Sequence, residues 1–159
     1  MRIANIAIST VAGLLMAAPA FAVTVEAGVS KEFQTKLQRD LGVRESKVLT
    51  DSLTRKVTKV FERKGVKAER IVVTIEDAKP NRPTWAQTSS KPGLDAMRSV
   101  SIGGARMTGT AYDASGKEIG KFDYQWYEPS IENVIGYNTW ADAYRSFDRF
   151  ADRFADQLT

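Results

Sequence analysis

The chain has 159 residues with a formal net charge of +4, and it contains neither histidine nor cysteine. These two absences exclude Ser-His-Asp and Cys-His catalytic sites, zinc sites of the common nitrogen and sulfur type, and disulfide bonds. The sequence also lacks a phosphate-binding glycine loop and a dinucleotide-binding fingerprint. The composition therefore favours a protein that is not an enzyme and that carries no cofactor or metal.

The first 22 residues, MRIANIAISTVAGLLMAAPAFA, have the three parts of a secretory signal peptide. Arg2 precedes an apolar stretch over residues 6–18, and Ala20 and Ala22 supply the small residues of a cleavage site. The apolar stretch is shorter than the roughly 20 residues of a membrane-spanning helix. We expect cleavage after Ala22, a periplasmic location, and a single mature domain over residues 23–159.

Charge is uneven along the expected mature chain. Residues 23–91 hold 15 basic and 9 acidic side chains, whereas residues 92–159 hold 7 and 10. A basic half can face an anionic partner. However, the bases between residues 55 and 64 fall on the polar side of a predicted helix, and no nucleic-acid-binding motif accompanies them. We therefore expect no nucleic-acid binding.

The first elements follow from the spacing of apolar residues. Residues 23–28 alternate between apolar and polar side chains, which predicts a short strand. A short helix follows, because apolar side chains recur every four residues between a possible Ser30 cap and Gly42. A longer helix ends at Gly65, and alternation over residues 71–75 predicts a second, half-buried strand.

Three prolines and a run of small polar residues then predict an irregular loop, KPNRPTWAQTSSKPGLD, over residues 79–95. A loop of this length is uncommon in a compact domain and is often functional. Strands are predicted over residues 100–112 and 118–127, joined by a turn at DASGK. Gly103 and Gly104 interrupt the first of these strands. They indicate either a β-bulge, which we favour, or a close approach of another backbone or a ligand.

The closing segment has the spacing of an amphipathic helix with an aromatic face. Thr139 and Asp142 stand three residues apart at its start, as in a capping box. Its polar face mixes acids with bases, unlike the lysine- and arginine-rich face of a membrane-surface helix. We expect the aromatic face to form the core, with a homodimer seam as the alternative. Its members are Trp140, Tyr144, Phe147, Ala151, Phe154 and Leu158.

Taken in order, the elements predict an α+β fold. The sheet is small and mainly antiparallel, with three to four strands, and two to three helices pack on one of its faces.

Two kinds of candidate site remain after these exclusions. Carboxylate pairs can perform general acid and base catalysis without other groups, and the pairs are Glu76 with Asp77 and Glu128 with Glu132. Adjacent acids at a strand end are more often solvated surface. A carboxylate-dependent hydrolase acting on an envelope polysaccharide is therefore the alternative function.

The preferred candidate is a partner-binding surface, because exposed tryptophan and arginine are favoured anchors at interfaces. Its residues are Arg82, Trp85, Tyr127 and Glu128. For Trp85 the alternative is a plug that holds the loop on the domain. The leading functional hypothesis is a non-enzymatic binding or envelope-accessory module whose partner is an envelope protein or glycan. A structural homodimer is a third hypothesis.

Several stretches also carry a resemblance to known sequences: GVRE, IEDAKPNRPT, KPGLD, SIGG, WYE and TWADA. Over most of the expected mature chain, the sequence resembles a set of uncharacterised, signal-bearing proteins of Gram-negative bacteria. The resemblance implies an envelope location. It implies no activity, cofactor or catalytic residue.

Overall fold

The computed structural model describes residues 23–134 and 138–159. The expected signal peptide, residues 1–22, lies outside the described residues. The helices are α1 (Lys31–Lys36), α2 (Arg44–Lys64), α3 (Trp85–Ser90) and α4 (Ala141–Leu158). The strands are β1 (Thr24–Val29), β2 (Arg70–Lys79), β3 (Gly104–Tyr112) and β4 (Glu118–Tyr127). A π-helix, Leu37–Leu41, follows α1, and a 3₁₀ turn spans Ile131–Asn133.

The four strands form one sheet in the order β1-β2-β3-β4. β1 runs parallel to β2, while β2 with β3 and β3 with β4 are antiparallel. A parallel pair needs a long crossover, which α1, the π-helix and α2 provide. The predicted α+β class, with a mainly antiparallel sheet, is confirmed.

Helices α2 and α4 cover one face of the sheet. The phenylalanines of α4 are buried there and Tyr144 is half-buried, and the rings of Phe150 and Phe154 lie 5.7 Å and 5.8 Å from that of Phe122 on β4. Gly109 of β3 makes room for them, since an added Cβ would lie 2.7 Å from Phe150. The predicted core role of this helix face is confirmed, and its buried rings are not available for a dimer seam.

The bases of α2 face the acids of α4. Lys56 pairs with Asp148 at 2.6 Å, and Lys64 pairs with Asp156 at 2.6 Å. Arg63 pairs with Asp152 at 2.9 Å. The basic run of α2 is therefore part of the packing between two helices.

The predicted helix boundaries depend on one cap and two glycines. The Ser30 hydroxyl accepts a hydrogen bond from the backbone N–H of Phe33, as expected of an N-cap. Gly42 and Gly65 both have positive φ angles, 101° and 64°, and each follows the end of a helix.

Three local predictions were wrong. The loop over residues 79–95 contains α3, because the Thr84 and Gln87 side chains form a reciprocal capping box. Thr139 and Asp142 do not form the predicted capping box, because α4 begins after Trp140 without a side-chain cap. The favoured bulge at Gly103 and Gly104 is absent. The sheet register shifts instead near Glu76 and at Tyr112.

Candidate functional site

A buried polar network anchors the connection between β2 and β3, residues 80–103. The Asn81 amide donates to the Asp142 carboxylate at 2.5 Å, and its own oxygen accepts from the Asp142 backbone N–H at 2.8 Å. Both side chains are fully buried. The Arg145 guanidinium lies 3.3 Å from the other carboxylate oxygen of Asp142. Because these buried groups satisfy one another, the start of the connection is fixed on α4.

The end of the connection returns to the same network. The Gly103 N–H donates to the Asp142 carboxylate, and the Ser101 N–H donates to the Asn81 carbonyl at 2.8 Å. An added Cβ at Gly103 would lie 2.6 Å from the Asn81 side chain. A further Cβ at Gly104 would lie 2.3 Å from the Trp126 carbonyl. The second sequence interpretation, close approach of another backbone, therefore holds at Gly104, whereas Gly103 makes room for the Asn81 side chain.

Between these two anchors, the connection presents Trp85 to solvent. Trp85 is the first residue of α3, and 81% of its surface is exposed. The helix is held from below, since the Thr84 cap is buried and Ala86 lies 3.0 Å from the position that a Gly42 Cβ would occupy. Trp85 is therefore not a plug. It projects from a fixed platform.

The remainder of the connection is also apolar and exposed. Among the residues the structure describes, eight large apolar side chains are exposed, and four of them lie here: Trp85, Leu94, Met97 and Val100. The Asp95 carboxylate accepts hydrogen bonds from the N–H groups of Met97 and Arg98, at 2.7 Å and 2.8 Å. The backbone is therefore ordered around side chains that face solvent.

Basic residues accompany these apolar ones. We define the Trp85 surface as the four apolar residues above with Lys79, Arg82, Lys91 and Arg98. Next to it lies a concave region of about 450 Å³, between the connection and the π-helix. Its lining includes Lys36, Lys79, Arg82, Lys91, Leu94 and Val100, and its one acid is Asp40. Asp40 is already paired with Arg39 at 2.8 Å, so the region keeps an excess of positive charge.

Tyr127 lies elsewhere, on the sheet face that the helices leave open. Its hydroxyl donates to Asp77 at 3.1 Å, and Lys36 pairs with the same carboxylate at 2.7 Å. Burial and the nearby Asp77 charge raise the pKa of Tyr127 to about 12. Tyr127 is therefore protonated at neutral pH and acts as a hydrogen-bond donor. Together with Glu76 and Arg106, these residues line a second concave region of about 300 Å³.

Glu128 belongs to neither surface. It is buried, and its Oε1 atom accepts from the Asn133 amide at 3.1 Å and from the Ser130 N–H at 3.3 Å. Glu132, its proposed catalytic partner, is exposed on the following 3₁₀ turn. The Glu128 carboxylate thus stabilises a turn.

The structure brings together two of the four predicted partner-binding residues, Arg82 and Trp85, and separates Tyr127 and Glu128 from them. Sequence reasoning missed the basic and apolar residues after Trp85, from Lys91 to Val100. Their signal was available, because three large apolar residues and two bases occur in a segment that lacks strand or helix periodicity. Nothing in the sequence indicated that Asn81 and Asp142 form a buried hydrogen-bonded pair.

No helix among residues 23–134 and 138–159 has both the length and the apolar character required to cross a bilayer. Within the same residues, no cluster of three or more acids is arranged to hold a metal ion.

No protein-family model matches this chain, and no curated protein matches it either. Among solved structures, it is similar to a chain from Caulobacter crescentus CB15 described as a "putative lipoprotein". The two share 14% identity with a TM-score of 0.34, and the match covers 87% of this chain and 85% of that one. At this level of similarity, nothing about function or location follows from the neighbour.

Proposed function

We propose that this chain is a non-enzymatic binding module of the cell envelope and that it contacts its partner through the Trp85 surface. The observation that carries the proposal is the 81% exposure of Trp85 on an ordered helix. Placing a large aromatic side chain in water forgoes a burial worth roughly 2 to 3 kcal/mol. A partner that covers Trp85 recovers that free energy.

The platform under Trp85 supports the same proposal. The Asn81 network fixes both ends of the connection, and Asp95 orders its middle. A partner therefore meets side chains that already have a fixed backbone, which lowers the entropic cost of association. Exposed tryptophan with neighbouring arginine is also the composition that dominates binding energy at interfaces.

The envelope location rests on the signal-like residues 1–22. β1 begins at Thr24, directly after the expected cleavage point, so removal of the leader leaves every described element intact. We propose a periplasmic protein with a single domain over residues 23–159. Mass spectrometry of the exported protein tests the cleavage, and a mature chain that starts anywhere other than Val23 contradicts it.

The experiment for binding is cross-linking in intact cells followed by capture of the tagged protein. Trp85→Ala is compared with Ile131→Ala, which removes another exposed apolar side chain from outside the Trp85 surface. We expect a partner that is lost from the first variant and retained by the second. Equal capture by both variants would refute a protein partner at the Trp85 surface.

A carboxylate-dependent hydrolase remains the alternative, because Glu76 and Asp77 both line the concave region on the open sheet face. However, Asp77 already accepts from Lys36 and Tyr127, and Glu76 accepts from the Thr108 hydroxyl at 3.3 Å. Release of sugar from an envelope polysaccharide, abolished by Glu76→Gln, would establish this alternative and displace the binding proposal.

A further inference from the structure

We infer that the partner of the Trp85 surface is an anionic lipid bilayer, whose phosphate headgroups lie against its basic residues. The inference rests on the proposed function and names the partner class. It is drawn from charge and from the kind of apolar side chain that is exposed.

Charge is the first argument. The segment 79–102 carries four basic residues, Lys79, Arg82, Lys91 and Arg98, and one acid, Asp95. The Asp95 carboxylate is directed to the backbone, since it accepts from two N–H groups. Lys79, Lys91 and Arg98 are exposed, and Lys79 and Lys91 line the 450 Å³ concave region. This arrangement of bases complements phosphate groups, which anionic lipids display at high density.

The exposed apolar residues are the second argument. Trp85 and Met97 are 81% and 68% exposed, and both project from the same connection as the bases. Tryptophan is favoured at the boundary between headgroups and acyl chains, because its ring has an apolar body and a polar N–H group. Helices that lie in a membrane interface combine tryptophan and other apolar side chains with lysine and arginine, and the Trp85 surface has the same composition.

A comparison with α4 sharpens the choice. Its polar face mixes acids with bases, and its aromatic face is buried in the core. The composition expected of a membrane-binding surface therefore occurs in the β2–β3 connection. It is absent from α4, although α4 is a strongly amphipathic helix. An acidic protein could also meet the bases, but it would leave Met97 and Trp85 in water unless it offered apolar pockets for them.

The test uses the purified protein with vesicles of equimolar phosphatidylglycerol and phosphatidylcholine, and with vesicles of phosphatidylcholine alone. Sedimentation reports binding, and tryptophan fluorescence reports burial. Of the three tryptophans, Trp140 is buried and Trp126 is covered by Arg149, so a blue shift on binding reports Trp85. We expect binding and a blue shift with the anionic vesicles, both reduced by salt and both weaker with phosphatidylcholine alone.

Matched charge variants locate the contact. Lys79→Gln with Lys91→Gln should lower the vesicle partition coefficient roughly 30-fold. Lys67→Gln with Lys117→Gln removes the same charge from exposed positions at the opposite end of the sheet, and it should lower the coefficient less than about threefold. Trp85→Ala should abolish the blue shift while the Lys67/Lys117 variant keeps it. Equal losses in the two charge variants would overturn the inference.

Two further outcomes separate the sources of phosphate. Excess soluble glycerol phosphate should not displace the protein from vesicles, and displacement would mean that a free anion is the ligand. If vesicles do not bind but Trp85 still governs cross-linking to a protein, the lipid inference fails and the proposed function stands. If neither is observed, both fail.

Discussion

The two parts of the β2–β3 connection reverse the usual distribution of side chains. At its ends, the polar Asn81 and the backbone of Gly103 are buried against Asp142. In its middle, the apolar Trp85 and Met97 are in water. In most loops the apolar residues hold the segment down and the polar ones face solvent.

As a result, the polar residues at the ends anchor the connection, and the apolar residues in its middle are available to a partner. Because hydrogen bonds in the buried network hold the connection, we expect that Trp85 and Met97 are not needed for folding. They can be substituted, or covered by a partner, without loss of the fold. The predictions for Asn81, Gly103 and Trp85 test whether the two parts are independent in this way, and the prediction for Tyr127 gives a comparison from outside the connection.

The largest effect is expected from Asn81→Ala, which removes three hydrogen bonds and leaves the Asp142 carboxylate buried with fewer donors. We expect a loss of about 3 to 5 kcal/mol in the free energy of unfolding, measured by urea denaturation. Gln125→Ala, which removes an exposed amide from β4, is the control and should cost about 1 kcal/mol or less. If the two losses are equal, the network does not anchor the connection.

Gly103→Ala should have the next largest effect. The new Cβ would meet the Asn81 side chain at 2.6 Å, which displaces the network and costs about 2 kcal/mol. Gly28→Ala is the matched control, because an added Cβ there meets nothing within 4 Å. It should change stability by less than about 0.5 kcal/mol. A Gly103 variant as stable as the Gly28 variant would show that this close approach is dispensable.

A substitution at Tyr127 should have an effect of intermediate size on stability, because the hydrogen bond from its hydroxyl to Asp77 is only partly buried. The pKa of Tyr127 is raised to about 12 in the folded protein, so the hydroxyl keeps its proton below pH 10 in both the folded and the unfolded state. Between pH 10 and 12 the unfolded chain releases this proton while the folded chain keeps it, so stability falls as pH rises through that window.

Tyr127→Phe should remove the part of the stability loss between pH 10 and 12 that this hydroxyl causes. At neutral pH it should lower the free energy of unfolding by about 1 kcal/mol, because the hydrogen bond to Asp77 is lost. Phenolate absorbance of the folded protein should lose its component near pH 12 in the variant. In Asp77→Asn that component should move to lower pH, because one cause of the raised pKa is the Asp77 charge. An unchanged titration in both variants would contradict the role of Asp77.

The smallest effect on stability is expected from Trp85→Ala. With 81% of its surface exposed, the side chain contributes little to the core, and the free energy of unfolding should change by less than about 0.5 kcal/mol. Thermal and urea unfolding measure this. A loss above 2 kcal/mol would show that Trp85 anchors the connection and would remove the distinction between its two parts.

Sequence patterns predicted the parts of the fold that depend on periodic burial. Helix α2 and strand β4 were predicted because their apolar residues repeat at helical and strand spacing. Helix α3 was missed because prolines dominated the interpretation of its segment. Pro83 precedes the Thr84 cap, where it does not interrupt the helix, and the Thr84 and Gln87 pair was the usable signal.

The candidate site was less predictable, because its contacts are distant in sequence. Asp142 follows Thr139 at capping-box spacing, yet its carboxylate binds Asn81, which lies 61 positions earlier. No local pattern encodes that partner. Composition also could not decide whether Trp85 was a plug or exposed, because that depends on how α3 packs on the π-helix.

Helix α4 covers β3 and β4, but it is synthesised after all four strands. Until its phenylalanines arrive, the sheet face around Gly109 lacks the cover that α4 provides, and a sheet with an uncovered apolar face is marginally stable in water. A partly synthesised chain therefore cannot close its core, however far β2, β3 and β4 have paired. Folding of this domain is therefore expected to wait for α4, a helix of 18 residues.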